Sequence, residues 1–192
     1  MYSWLKGIKS SVRYPFGYLN SWKFDINEYS ICPFPGIECW NPKENRVTSI
    51  TLGEMSLQGQ FPKGIENCRS LTELDLSGNN FSVPILSNIG EIIPFVTELD
   101  LSVNNFSGEI PPSLENCIYL NFLRLDNKKL QGQIPPQLAQ LNRLNWFTVS
   151  NNLLLGPIPE FVGFSLSSDD CAGSLGLFEA PLEPCKKRKK II

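Results

Sequence analysis

The 192-residue sequence predicts an α/β repeat: a short right-handed solenoid with a cap at each end. Three observations carry this. Apolar-x-apolar pairs recur as Ile50-Thr51-Leu52, Leu74-Asp75-Leu76, Leu99-Asp100-Leu101, Leu123-Arg124-Leu125 and Phe147-Thr148-Val149, their second members 24, 25, 24 and 24 residues apart. Three residues after each pair lies a slot filled by Asn79, Asn104 and Asn152, and two residues later an apolar residue returns: Leu57, Phe81, Phe106, Leu130 and Leu154. A Gly-x-Ile-Pro element follows at Gly108–Pro111, Gly132–Pro135 and Gly156–Pro159, with Gly59-Gln60-Phe61-Pro62 as a variant. A strand core recurring every 20–29 residues is the leucine-rich-repeat signature. The over-use of leucine (25 residues) and asparagine (17) follows from it.

Residues 2–45 are read as the N-terminal cap. Leu5, Ile8 and Val12 fall at helical spacing, and Pro15 ends that pattern. Tyr18, Leu19 and Trp22 form a second apolar cluster. Cys32 and Cys39 then bracket Pro33, Pro35 and Gly36, a loop tight enough for a disulfide to close. Zinc would need four ligands, and no histidine or second cysteine pair lies nearby.

Residues 46–162 hold five repeats. In each, the two apolar residues of the strand point inward and those between point out. One repeat cannot bury its apolar side alone, so neighbours must stack. The slot asparagine carries both donors and an acceptor, and can satisfy backbone groups where the chain leaves the strand. Glycine permits the next tight turn and proline stops the extended segment. Met55 fills the first slot, where a terminal repeat is atypical. Lys128 fills the fourth, between intact neighbours. An unpaired buried ammonium is costly, so Lys128 is expected to snorkel outward and distort the turn. The alternative is that Asn127 moves inward by one residue. The second repeat is eroded as well, with Val83-Pro84-Ile85-Leu86 in place of Gly-x-Ile-Pro.

Cys68 and Cys117 each follow Glu-Asn and precede a leucine by three residues, so they occupy one position two repeats apart. Strands stack about 4.8 Å apart, which puts the two beyond the roughly 7 Å reach of a disulfide. They read as small buried hydrophobes. Residues 163–185 are read as the C-terminal cap, in which Cys171 and Cys185 bracket a Gly-, Ser- and Pro-containing segment and are expected to pair. Two cap bridges would mark an oxidising compartment. Asn80-Phe81-Ser82 and Asn105-Phe106-Ser107 are sequons at one repeat position, making Asn80 and Asn105 candidate glycosylation sites.

Charge and composition exclude several functions. Residues 186–192 form a basic tail holding five of the seventeen basic residues, which leaves twelve against nineteen acidic ones before it, a net −7. An acidic body argues against nucleic-acid binding. With no histidine, no Ser-His-Asp triad, Cys-His dyad or His-ligated metal site can be built. No cofactor or metal is expected. Asp75 and Asp100 are adjacent outward carboxylates on an open surface, whereas acid–base catalysis favours groups whose pKa burial has shifted. Lys6, Lys9 and Arg13 interrupt any signal-peptide core, and no run of about 18 apolar residues could span a bilayer. The cysteines nonetheless point outside the cell, so the chain reads as part of something longer.

Outward strand residues define a candidate surface. One column is Ser49, Glu73, Glu98, Phe122 and Trp146; the central one is Thr51, Asp75, Asp100, Arg124 and Thr148. Glu98 and Asp100 belong to an acidic first half. Phe122, Arg124 and Trp146 stand side by side in the second half, and aromatic and arginine residues are the usual interface anchors.

The repeat Leu-Asp-Leu-Ser-x-Asn-x-Phe-Ser-Gly-x-Ile-Pro resembles the plant class of leucine-rich repeat. Ser21-Trp22 with the Cys32/Cys39 pair resembles the cap of plant receptor kinases. Ile31–Trp40 followed by Glu44–Val47, Pro136–Leu144, and Ala180–Cys185 together resemble the ectodomain of the BIR family, inactive receptor-like kinases of plants that interact with SERK co-receptors. The resemblance covers about residues 3–190. It implies a transmembrane helix and a kinase-like domain downstream, a place on the outer face of the plasma membrane, and no enzyme activity in this part. It also implies that the ectodomain binds a SERK ectodomain and dampens immune and hormone signalling. The sequence departs from the family at Trp4, where a cysteine is usual, and at Leu177-Phe178-Glu179, where the family has Leu-Cys-Gly. Two other readings are a receptor ectodomain that senses a peptide directly and a secreted inhibitor of a pathogen enzyme.

Overall fold

The apolar-x-apolar pairs become the strands Val47–Thr51, Glu73–Asp75, Glu98–Asp100, Phe122–Arg124 and Trp146–Thr148. They lie parallel in chain order, with equivalent residues in register: Ile50 beside Leu74, Leu99, Leu123 and Phe147. Each of these five is at most 1% exposed. Stacking therefore supplies the burial that one repeat could not provide for itself. The structure, a computed structural model, describes residues 3–24, 31–41 and 43–178.

The asparagine slots work as a ladder. Asn104 accepts a hydrogen bond from Phe81 N (3.1 Å) and donates to the carbonyls of Leu76 (2.8 Å), Leu101 (3.1 Å) and Ser102 (3.0 Å). Asn79 makes the same set with Leu57 N and the carbonyls of Leu52, Leu76 and Ser77. Asn152 repeats it with Leu130 N and the carbonyls of Leu125, Val149 and Ser150. Each asparagine thus ties its own strand exit to the one before it. The residue preceding every slot turns left-handed: Glu54, Gly78, Val103, Asn127 and Asn151 have φ of 56°, 61°, 49°, 55° and 53°.

Lys128 does not snorkel. Its side chain is buried at 7% exposure, and its Nζ has no hydrogen-bond partner. The ammonium sits 4.7 Å from the centre of the buried Phe106 ring. Desolvation pushes its pKa down to about 7, against the opposing pull of Asp100 and Asp126. Asn127 does not move inward either; it stays exposed and its Nδ2 donates to Asp126 Oδ2 (2.6 Å). The lysine stays inside because the strands and turns on both sides hold the repeat's path, and the Phe106 face offers the cation some compensation.

A second set of short strands follows the slots. Ser107–Glu109, Lys129–Gly132, Leu153–Pro157 and Gly176–Phe178 form one parallel sheet. Gly108, Gly132 and Gly156 start the Gly-x-Ile-Pro turns with φ of 78°, 76° and 91°, where a Cβ would be strained. Asn80–Phe81 and Gln58–Gly59 belong to a separate sheet. The break falls at the eroded second repeat, where an isolated bridge from Pro84 to Ser107 and a hydrogen bond from Asn105 N to Phe81 O (2.9 Å) stand in for a continuous strand pairing.

The N-terminal helix Ser3–Ser11 buries Leu5 and Ile8. It stops one residue before Val12, contrary to the helical spacing. Ser10 and Ser11 hydroxyls donate back to Gly7 O and Ile8 O, which weakens the helix end, and Val12–Arg13 instead pairs antiparallel with Gln58–Gly59. Leu19 and Trp22 are buried, whereas Tyr18 is half-exposed. Trp22 stacks on Phe34 and donates through Nε1 to Pro35 O (3.1 Å). Cys32 and Cys39 form a disulfide. The strand Ile37–Cys39 leaving that loop pairs antiparallel with Val47–Thr51 and covers the sheet's first edge. Gly36, at φ 78°, lies against the Thr51 carbonyl, where a Cβ would collide.

At the other end, the backbone of residues 170–174 continues the ladder without a strand. Val149 N donates to Asp170 O (2.8 Å) and Asn151 N to Ala172 O (2.7 Å). Ser174 stands in for a slot asparagine, donating to Val149 O (3.0 Å) and accepting from Asn152 N (3.2 Å). The turn Ser168–Cys171 is held by a capping box between Ser167 and Asp170. This corrects the expectation for Cys171. It is a free thiol, 1% exposed and packed into the core. Burial first, and the Asp170 carboxylate second, push its pKa up to about 11. Cys185 and the basic tail lie outside the described residues. Cys68 and Cys117 are also free and buried, as expected, with burial raising them to about 11 and about 12.

Candidate functional site

The parallel register turns the two outward columns into physical rows. Ser49, Glu73, Glu98, Phe122 and Trp146 lie side by side across the strands, and so do Thr51, Asp75, Asp100, Arg124 and Thr148. Burial divides the first row. Ser49 is only 3% exposed, because the cap strand places Glu38 opposite it, and its hydroxyl has no partner. Glu98 is exposed; Phe122 is 39% and Trp146 52% exposed.

Arg124 is not an isolated cation. Its Nη1 lies 3.0 Å from Asp100 Oδ2 and its Nε 3.9 Å from Asp126 Oδ1. Asp100 uses its other oxygen to hold the strand exit, accepting from Ser102 N (2.8 Å) and Ser102 Oγ (2.6 Å). Asp75 does likewise for Ser77 N (2.8 Å). Part of the acidic face is therefore structural. The Arg124–Asp100 pair is half-exposed, and such pairs contribute about 1 kcal/mol or less to stability. It draws the guanidinium toward the Glu98–Asp100 strand, the neighbour on the side away from Trp146.

Asp126 was missed from sequence. It is 7% exposed and accepts from Thr148 Oγ1 (2.8 Å) and Asn127 Nδ2 (2.6 Å) while lying near Arg124. The signal was legible: repeats two and three read Leu-Asp-Leu-Ser, and repeat four reads Leu-Arg-Leu-Asp. The acid has moved two residues, from the strand centre to the serine position. The sequon residues Asn80 and Asn105 are exposed and half-buried, and each is followed by a fully buried phenylalanine. Asn80 opens a strand of the second set, away from the concave sheet. Among the described residues no cluster of metal-ligating side chains occurs, and no helix is long and apolar enough to cross a membrane.

The fold has close counterparts. The crystal structure of the BIR2 ectodomain from Arabidopsis thaliana superposes with a TM-score of 0.90 at 44% identity, covering 94% of this chain and 95% of that one. The chain belongs to the plant leucine-rich-repeat receptor-kinase ectodomains. A second likeness to this ectodomain family is the crystal structure of the BIR3–SERK2 complex from Arabidopsis thaliana, with a TM-score of 0.91 and 42% identity over 96% of this chain and 98% of that chain. Leucine Rich Repeat family models match residues 95–117 and 67–90. Among curated relatives, the inactive LRR receptor-like serine/threonine-protein kinase BIR2 of Arabidopsis thaliana is 44% identical over 118 residues, which is 61% of this chain and 20% of that protein. The chain spans about a fifth of the length of the curated relatives it matches. Within the receptor-kinase ectodomains, an open row of exposed aromatic side chains flanking a paired arginine suits binding to another protein better than enclosing a small ligand.

Proposed function

We propose that this chain is a protein-interaction ectodomain that binds the ectodomain of a SERK-type co-receptor kinase and thereby restrains immune and hormone signalling. The observation that carries the reading is the exposed Phe122–Trp146 pair, in register on neighbouring strands with Arg124 beside them. The likeness to the BIR3–SERK2 complex supports the choice of partner. Large aromatic side chains left in water at a strand face gain from being covered, and arginine adds directional hydrogen bonds at the same place. A glycan on Asn80 would lie on the second set of strands, away from this face.

The test is a surface-binding measurement with a purified SERK-type ectodomain. Phe122→Ala combined with Trp146→Ala should weaken Kd by about 30-fold or more, the scale of one strong anchor. Both residues are exposed, so the double variant should melt close to the parent. Unchanged affinity would refute this face as the binding site.

A further inference from the structure

We propose that the turn at residues 126–129 is a proton-sensitive opening point of the solenoid, closed while the buried Lys128 amine is neutral and parting from repeat three when the amine takes up a proton. Lys128 leaves part of its slot's work undone. At the equivalent rung, the Asn104 side chain binds Phe81 N and Leu76 O of the preceding repeat. Lys128 has no acceptor to offer Phe106 N, and its own Nζ has no partner. The turn is therefore joined to repeat three by main-chain bonds without support from the slot: Val103 N to Asp126 O (3.0 Å) and Lys129 N to Phe106 O (3.0 Å).

Toward repeat five the same turn is held better. Asn127 N donates to Ser150 O (2.9 Å), Asn151 Nδ2 to Asn127 Oδ1 (2.9 Å) and Thr148 Oγ1 to Asp126 Oδ1 (2.8 Å). Asn152 adds bonds to Leu130 N and Leu125 O. The junction between repeats three and four is thus the weak one, and weakly held segments open locally while the remainder stays folded.

Charge supplies the trigger. Nζ is buried 4.7 Å from the centre of the Phe106 ring. Asp100 on repeat three and Asp126 on repeat four attract it, and these are the two carboxylates that already flank Arg124. Glu109 and Lys129, the charged groups of the neighbouring second strands, are exposed. The strand and exit of repeat five, residues 146–157, carry no titratable side chain. Desolvation outweighs the pull of the two carboxylates and holds the amine at about 7. While the adjoining turns are closed the ammonium has no path to water, so the proton is accommodated by parting the turn from repeat three. In the opened turn the hydrated amine returns to its ordinary 10.5. Lowering the pH from 10.5 to about 7 therefore favours the opened form, and lowering it further adds little, because both forms then carry the proton. The Arg124–Asp100 pair spans the same junction, so the opening reaches the concave face through it.

Hydrogen exchange followed by NMR, corrected for the intrinsic rate at each pH, tests this on the intact chain and on Lys128→Met. In the parent, the Val103 and Lys129 amides should lose protection by about fifteenfold between about pH 8.5 and 7, and by about twofold more below that. Their counterparts one repeat earlier, Gly78 N to Ser102 O and Asn105 N to Phe81 O, cross an intact rung and should keep their protection. In Lys128→Met, protection at Val103 and Lys129 should be independent of pH. If all four parent amides lose protection together, the lysine escapes only by global unfolding and the opening point does not exist. Flat protection in the parent, or the same pH dependence in Lys128→Met, would equally overturn it. Gly78 and Asn105 are controls within the parent, so the comparison stands even if Lys128→Met folds poorly.

Discussion

The slot that follows each concave strand is filled in two ways, and the contrast shows what the position requires. In repeats two, three and five it holds Asn79, Asn104 and Asn152, each bonding one backbone N–H and three carbonyls. In repeat four the same place holds Lys128, with its Nζ buried and unpartnered over Phe106. Asparagine there satisfies the backbone of two repeats at once. Lysine supplies donors without an acceptor, and its charge is desolvated. The fold accommodates this because the repeats on both sides are intact, so one faulty rung is bridged by its neighbours. The contrast teaches that the slot's value lies in its acceptor and its neutrality as much as in its donors.

The largest effect should come from cutting an intact rung. Asn104→Ala strands Phe81 N and the carbonyls of Leu76, Leu101 and Ser102, and should destabilise the solenoid by roughly 3–4 kcal/mol in urea unfolding. A loss below about 1 kcal/mol would show that water replaces the rung. Repairing the faulty one should work in the other direction. Lys128→Asn should reach Phe106 N and the carbonyls of Leu101, Leu125 and Asp126 by the geometry of its neighbours, and stabilise by roughly 2–3 kcal/mol. Lys128→Met, which keeps much of the apolar stem and removes the amine, separates the two causes. It should recover the desolvation part alone.

The pH dependence follows from the same lysine. Its folded pKa of about 7 lies below the ordinary 10.5, so between those values the unfolded chain binds a proton that the folded chain does not. Stability should therefore rise with pH across pH 7 to 10.5, by up to about 1.4 kcal/mol per pH unit, and Lys128→Met should remove that contribution. The comparison is between the two proteins' stability curves. Equal slopes for the parent and Lys128→Met would place the lysine's ammonium in contact with water. The smallest effect concerns the residue before the slot. Val103 is β-branched and sits at φ 49°, where its counterparts include Gly78, Asn127 and Asn151. Val103→Asn should raise stability by about 1 kcal/mol, read as a modest increase in Tm.

Most of the solenoid could be read from sequence, because its repeat and its burial share one period. The positions of Ile50, Leu74, Leu99, Leu123 and Phe147 followed from spacing alone, and so did the composition of both outward rows. What escaped depended on three-dimensional neighbours. The depth of Lys128 was misjudged because outward snorkelling needs a path, and the adjoining turns close it. Cys171 was assigned to a bridge because it and Cys185 bracket a Gly-, Ser- and Pro-containing segment, whereas the turn held by the Ser167–Asp170 capping box keeps its thiol free and in the core. Ser174 carried no local signal for its role as a substitute slot, since that role exists only beside Asn152 and Val149.

The central claim is that the concave face of the later repeats is where a SERK-type ectodomain docks. Hydrogen–deuterium exchange of this chain, alone and with that ectodomain, tests it most directly. The account predicts slowed exchange across the concave strands at residues 98–100, 122–124 and 146–148. Slowed exchange confined to the second set of strands at 107–109, 129–132 and 153–157, with the concave strands unchanged, would contradict it.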